Sequence, residues 1–207
     1  MVVHSALVTM QQYGDVENCV RLPIVAFHKS LGKWAEMYRM PSGQFSETVS
    51  YCAQDVATPT EDIELRFRRH IQDYELTTRK RKAPGVLQKV AQRAPGQGFS
   101  KYPNACYDLR GLAPKCTTYG AGRHKPAGWR PGDSTNVSYM FTPHDVARHK
   151  NLHESYMALL VQKYESSAEV AASMEQDQFL YKCLGNGFTM KFGQAFYESI
   201  HKVLVLA

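Results

Sequence analysis

The stretch from residue 84 to residue 132 constrains this chain more than any other part. It holds eight glycines and six prolines in 49 positions, among them Pro84-Gly85, Pro95-Gly96 and Pro131-Gly132. Proline removes backbone donors and glycine raises the entropic cost of order, so regular structure cannot run far there. One short helix is expected over 85–93. A loop of this length is unusual inside a compact domain. It divides the chain into an N-terminal helical part (1–83), an extended basic Gly/Pro-rich segment (84–140) and a C-terminal helical part (141–207).

The flanks read as helices. Val16, Val20, Ile24, Phe27, Leu31, Trp34 and Tyr38 recur every three or four positions, which is the period of one helix face. Pro23 fits a first turn, so the main helix is expected from about Leu22 to Pro41. A second short helix would carry Phe45, Val49, Cys52 and Val56. Thr58-Pro59-Thr60-Glu61 has the form of a helix start with its capping box, and Ile63, Phe67, Ile71 and Tyr74 form the stripe behind it. Thr142-Pro143-His144-Asp145 repeats that start, and Val146, Leu152, Tyr156, Leu160 and Tyr164 follow it. Phe188, Phe192, Phe196, Ile200 and Val203 mark a last helix after the break at Gly185-Asn186-Gly187. No run alternates as a half-buried strand does. The expected fold is mostly α: a small helical body with a long irregular segment in the middle.

Charge is concentrated in that middle. Residues 79–131 carry twelve Lys and Arg against one Asp, whereas the whole chain of 207 residues is only +6. Such a patch suits an acidic partner. The candidate contacts are Arg79, Lys80, Arg81, Lys82, Lys101, Arg110, Lys115, Arg123, Lys125 and Arg130. Phe99, Tyr102, Tyr107, Tyr119 and Trp129 lie among them. These rings could stack on bases or anchor an extended peptide on a protein. No RNA-recognition signature accompanies them, and the overall basic content is modest, which favours protein subunits over RNA. No apolar run reaches the roughly 20 residues of a membrane span, although peripheral association with a membrane stays compatible. Neither a secretory signal nor an Arg-rich presequence opens the chain.

Five cysteines do not make a disulfide scaffold. Cys106 and Cys116 enclose nine residues, a spacing that resembles half of the paired Cys-x9-Cys pattern of small mitochondrial intermembrane-space proteins. The second pair is missing here, and Gly111 and Pro114 interrupt a helix between the two. A direct Cys106–Cys116 disulfide would close a small loop; two unrelated thiols are the simpler reading. His149 and His153 stand one helical turn apart and could share a zinc ion, with Cys106, Cys116, His124 or His144 as further ligands. Surface histidines on a polar helix face are again simpler, and no metal or other cofactor is expected.

No phosphate-binding loop, nucleophile elbow or zincin motif is present. Gly120-x-Gly122 and Gly185-x-Gly187 read as turns. The expected function is therefore non-catalytic: an accessory subunit of a large assembly, with a mitochondrial respiratory-chain or ATP-synthase complex first and a cytoplasmic setting second. An RNA-bound ribosomal protein and a microtubule or viral lattice protein are the alternatives.

Overall fold

The computed structural model describes residues 1–43, 52–70, 74–76, 89–93, 105–115, 127–129, 137–187 and 189–207. Among them the protein is partly helical, with six α-helices and small sheets. Strands β1 (Val2–Ser5), β2 (Val8–Thr9), β3 (Glu17–Asn18), β4 (Val20–Arg21) and β5 (Ile24–Phe27) occupy the N-terminal region, followed by helix α1 (Lys33–Met37). Strands β6 (Arg68–His70), β7 (Tyr74–Leu76), β8 (Lys89–Arg93), β9 (Ala105–Asp108), β10 (Ala113–Pro114), β11 (Ala127–Trp129) and β12 (Val137–Met140) come next. Helices α2 (Pro143–His149), α3 (Glu154–Glu165), α4 (Ala168–Ser173), α5 (Gln176–Asn186) and α6 (Met190–Leu206) complete the chain.

The helix expected from Leu22 is a strand. β1 pairs with β5 and β2 with β4 in one continuous antiparallel register, from Val2 opposite Phe27 to Thr9 opposite Val20. Val25 and Phe27 point into a core with Tyr38 and Val203, while Ile24 and Val20 lie on the other face. Apolar residues on both faces hide the alternation by which a strand is recognised. The three- and four-residue steps from Val16 to Tyr38 then match a helix by coincidence. Gly14 turns the chain between β2 and β3 at φ +79°, a conformation that favours glycine.

The helix expected after Thr58 is also absent. Two short 3-10 turns, Thr60–Asp62 and Leu65–Phe67, lead into β6. Thr58 does not cap a helix of its own. Its backbone N–H and its hydroxyl both donate to Asp145 Oδ1, each at 2.7 Å. A tertiary carboxylate has outcompeted the local box. Strand β8 likewise replaces the short helix expected over 85–93; residues 82–88 lie outside the described residues.

The middle of the chain contributes to a six-stranded sheet in the order β6-β12-β11-β9-β8-β7. Its neighbours are antiparallel except β11 and β9. Gly128 in β11 permits a close approach, because a Cβ there would stand 2.8 Å from Leu109 Cδ2. The C-terminal helices match expectation best. Thr142 caps α2 with a reciprocal box to Asp145, and Phe192 and Val203 of α6 are buried. The main core draws on all three stretches of the chain, from Val16, Ile63 and Leu109 to Tyr139 and Leu184. Among the described residues no helix is long and apolar enough to cross a membrane.

Leu184 is only 1% exposed in that core. Leu184→Ala should cost about 2–5 kcal/mol, read as a lower midpoint in urea unfolding with an unchanged slope.

Candidate functional site

Three segments meet at one buried polar joint: Gly14–Asn18 before and within β3, the α2–α3 connection, and the α5–α6 connection. Lys150 lies just past α2 and is fully buried. Its Nζ donates to Glu17 Oε2 at 2.9 Å and to the Gly187 carbonyl at 3.4 Å. The Lys150 carbonyl accepts from Met190 N at 2.9 Å, which fixes the start of α6. Asn151 follows at φ +54°, a left-handed conformation that asparagine tolerates better than most residues. Its Nδ2 donates to Asp15 Oδ1. Lys191 Nζ reaches back to the Gly14 carbonyl at 3.4 Å.

Burial pushes the Asp15 carboxyl above its usual range, against the hydrogen bond from Asn151. His149 is 2% exposed, packed edge-on to Phe141 at 5.0 Å between ring centres. Burial drives its imidazole down to about 4, against the pull of Asp145 and Glu17. The ring is therefore neutral in the fold at pH 7, and its Nε2 has no hydrogen-bond partner among the described residues.

Beside the joint runs a cleft of about 540 Å³ between the Thr58–Phe67 stretch, α2, α3 and α5. Thr58 and Thr142 line it, and the buried Asp145 ties them together by accepting four hydrogen bonds, from the backbone and hydroxyl of both. The rim is charged. Arg66 pairs with Glu64 and Asp177, each at 2.8 Å. Arg148 pairs with Glu154 at 3.3 Å, and His144 stands 3.5 Å from the same carboxylate. Opposite charges are interleaved, so the rim suits a ligand bound through directed hydrogen bonds better than a free anion.

Few of the residues singled out from the sequence reach this site. His149 and His153 do not share a helix: His149 ends α2 and is buried, and His153 caps α3 by accepting from Ser155 N. They cannot hold one zinc ion from a common face. Arg110 lies on the turn after β9 and chelates Asp108 through Nε and Nη2, at 3.0 and 2.6 Å. Lys115 follows β10 and is partly buried. Tyr107 is buried in β9, and desolvation lifts its phenol to about 12. Cys106 is buried beside it. Arg79, Lys80, Arg81, Lys82, Lys101, Arg123, Lys125, Arg130 and Cys116 lie outside the described residues. Asp15, Glu17, Lys150 and Asn151 were not singled out. Glu17 and Lys150 are 133 residues apart, and no local pattern announces such a pair.

No family model matches the chain. No curated protein matches it either. Solved structures do. A methyltransferase of Entamoeba histolytica aligns over 98% of this chain and 52% of its own, at 9% identity and a TM-score of 0.53. The Dnmt2 methyltransferase of S. pombe aligns over 96% of this chain and 55% of its own, at 12% identity and a TM-score of 0.46. The chain spans about half the length of the solved structures it matches. The first likeness shows the fold to be one found in a methyltransferase. It overturns the expectation of a non-catalytic accessory subunit of a respiratory-chain or ATP-synthase complex. The ribosomal and lattice alternatives fall with it.

Two measurements test the joint. Lys150→Met alone strands a buried carboxylate and should cost about 3–5 kcal/mol, whereas adding Glu17→Leu should restore most of it. The second concerns pH. His149 takes up a proton on unfolding between its ordinary 6.5 and about 4, so its contribution is fully present above that window and is lost as pH falls through it. The loss should be about 3 kcal/mol, and His149→Gln should flatten stability against pH there.

Proposed function

We propose that this chain contributes to a methyltransferase that acts on nucleic acid. The carrying observation is the alignment of 98% of the chain with the Entamoeba histolytica enzyme. That likeness argues for methyl transfer as the reaction class. The acceptor is argued from charge: with the subunit-assembly reading set aside, twelve cations against one acid over residues 79–131 suit a polyphosphate backbone as the partner.

The division of labour follows from the site. The basic segment neutralises phosphates and holds the strand. The cleft, with its interleaved Arg66, Arg148, Glu64 and Glu154, offers directed donors and acceptors to a polar heterocycle such as a base edge. The buried joint keeps α2 and the Thr58–Phe67 turns in register beneath the cleft. The described residues do not fit a glycine-rich cradle for a nucleotide-bearing methyl donor. Gly185-Asn186-Gly187 closes α5 and does not link a strand to a helix.

Protein from its native source, given S-adenosylmethionine labelled in the methyl group, should place label in DNA or RNA; the absence of label in both would contradict the reading. Binding to an oligonucleotide should weaken steeply with salt, by about 0.9 in log K per log salt for each duplex phosphate contacted. Replacing Arg79, Lys80, Arg81 and Lys82 with alanine should make that slope shallower by up to about 3.6.

A further inference from the structure

A second cavity, of about 500 Å³, opens between α6, α1 and the chain that follows α1 as far as Ser42. It shares no residue with the cleft. Its volume is that of a small-molecule site. Met37, Met40, Val203 and Leu206 wall it. Val203 is buried, whereas Met37 and Leu206 stand open to solvent at 60% and 57% exposure. The hydroxyls inside already have partners. Ser199 Oγ donates to the Phe196 carbonyl at 2.7 Å, and the Tyr38 hydroxyl meets the same oxygen at 3.0 Å. The wall is therefore aliphatic and thioether surface.

Three exposed charged residues line the same cavity: Arg39, Lys202 and Glu198. Glu198 lies one turn before Lys202 but accepts instead from Gln194 Nε2 at 2.9 Å. Among the described residues neither Arg39 nor Lys202 forms an ion pair. Arg39 is nevertheless held in place, because its Nη1 donates to the Glu36 and Tyr38 carbonyls at 3.0 and 2.8 Å. Its Nε and Nη2 are left to meet a ligand.

We propose that this cavity binds a single-chain alkyl carboxylate, with its head on Arg39 and Lys202 and its chain along Met37, Met40 and Leu206. The planar guanidinium fork matches the two oxygens of a carboxylate. Two cations against one acid leave a single net positive charge, which balances a singly charged head; a phosphate monoester carries nearer two charges. Methionine walls adapt to a flexible chain. Of the two rings in the lining, Tyr38 is packed against His4 and Phe27, and Trp34 already carries Lys33 Nζ at 5.0 Å from its centre. An alkyl body therefore fits better than a stacked aromatic one. The proposal goes beyond the methyl-transfer reading and does not depend on it.

Calorimetric titration of the whole protein at neutral pH tests it, with sodium octanoate kept below its micelle-forming concentration. Octanoate should bind saturably at one site per chain. 1-Octanol, the same chain without the charge, should bind about tenfold more weakly, the effect of losing one charge-assisted hydrogen bond. Arg39→Gln should weaken octanoate by about the same factor and leave octanol unchanged. Arg39 also holds two backbone carbonyls, so Lys202→Gln is the second variant; its side chain is exposed, and octanoate should weaken by about threefold. Leu206→Asp, on the exposed lip, should abolish saturation by both ligands. Circular dichroism of each variant should match the parent. Absence of saturable octanoate binding overturns the proposal, as do equal affinities for octanoate and octanol. Parental octanoate affinity in both cation variants, or in Leu206→Asp, overturns it as well. Octyl phosphate binding more tightly than octanoate overturns the carboxylate assignment.

Discussion

The ion pair between Lys150 and Glu17 holds the architecture to its site. Both side chains are out of water, so neither can be left alone without the cost of an uncompensated charge. Their contact therefore forces the N-terminal β region against the α2–α3 connection. The Lys150 carbonyl receives Met190 N, and its ammonium reaches Gly187. One residue thus ties three distant pieces of chain. Asn151 adds a second tie to Asp15, and its left-handed backbone breaks the helix between α2 and α3.

The cleft inherits its shape from this joint. Asp145 belongs to α2, whose end the joint fixes, and its four hydrogen bonds gather Thr58 and Thr142 beneath the rim. Arg66 is then carried opposite Asp177 on α5. Rim charges that are spent on one another hold the geometry of the cleft.

Sequence reasoning succeeded where structure is local. The Thr142 box and the Phe192–Val203 stripe depend on neighbours a few residues away, and both appear as read. It failed where tertiary partners decide. Thr58 has the same local grammar as Thr142, yet Asp145 takes its donors. Val20, Ile24 and Phe27 mimic a helical period because they line both faces of a ribbon. His149 and His153 look paired on paper, but the helix ends between them. Glu17 and Lys150 carry no local mark at all, since their meaning lies wholly in a contact across the fold. The functional reading rested on the absence of recognisable motifs, whereas the likeness lies in the fold, at 9% identity, where sequence patterns no longer report it.

The doubly apolar hairpin has one more consequence. Where one side of a ribbon is wet, a slip of one residue is punished by exposing every greasy side chain, and the pairing corrects itself. Here a slip merely exchanges two oily surfaces, so water cannot arbitrate the alignment. The alignment must be set by small anchors: Met10 N donating to Cys19 O at the closed end, and His4 Nε2 meeting the Ala35 carbonyl at 2.7 Å near the open end. These modest contacts act as the ruler for the whole ribbon.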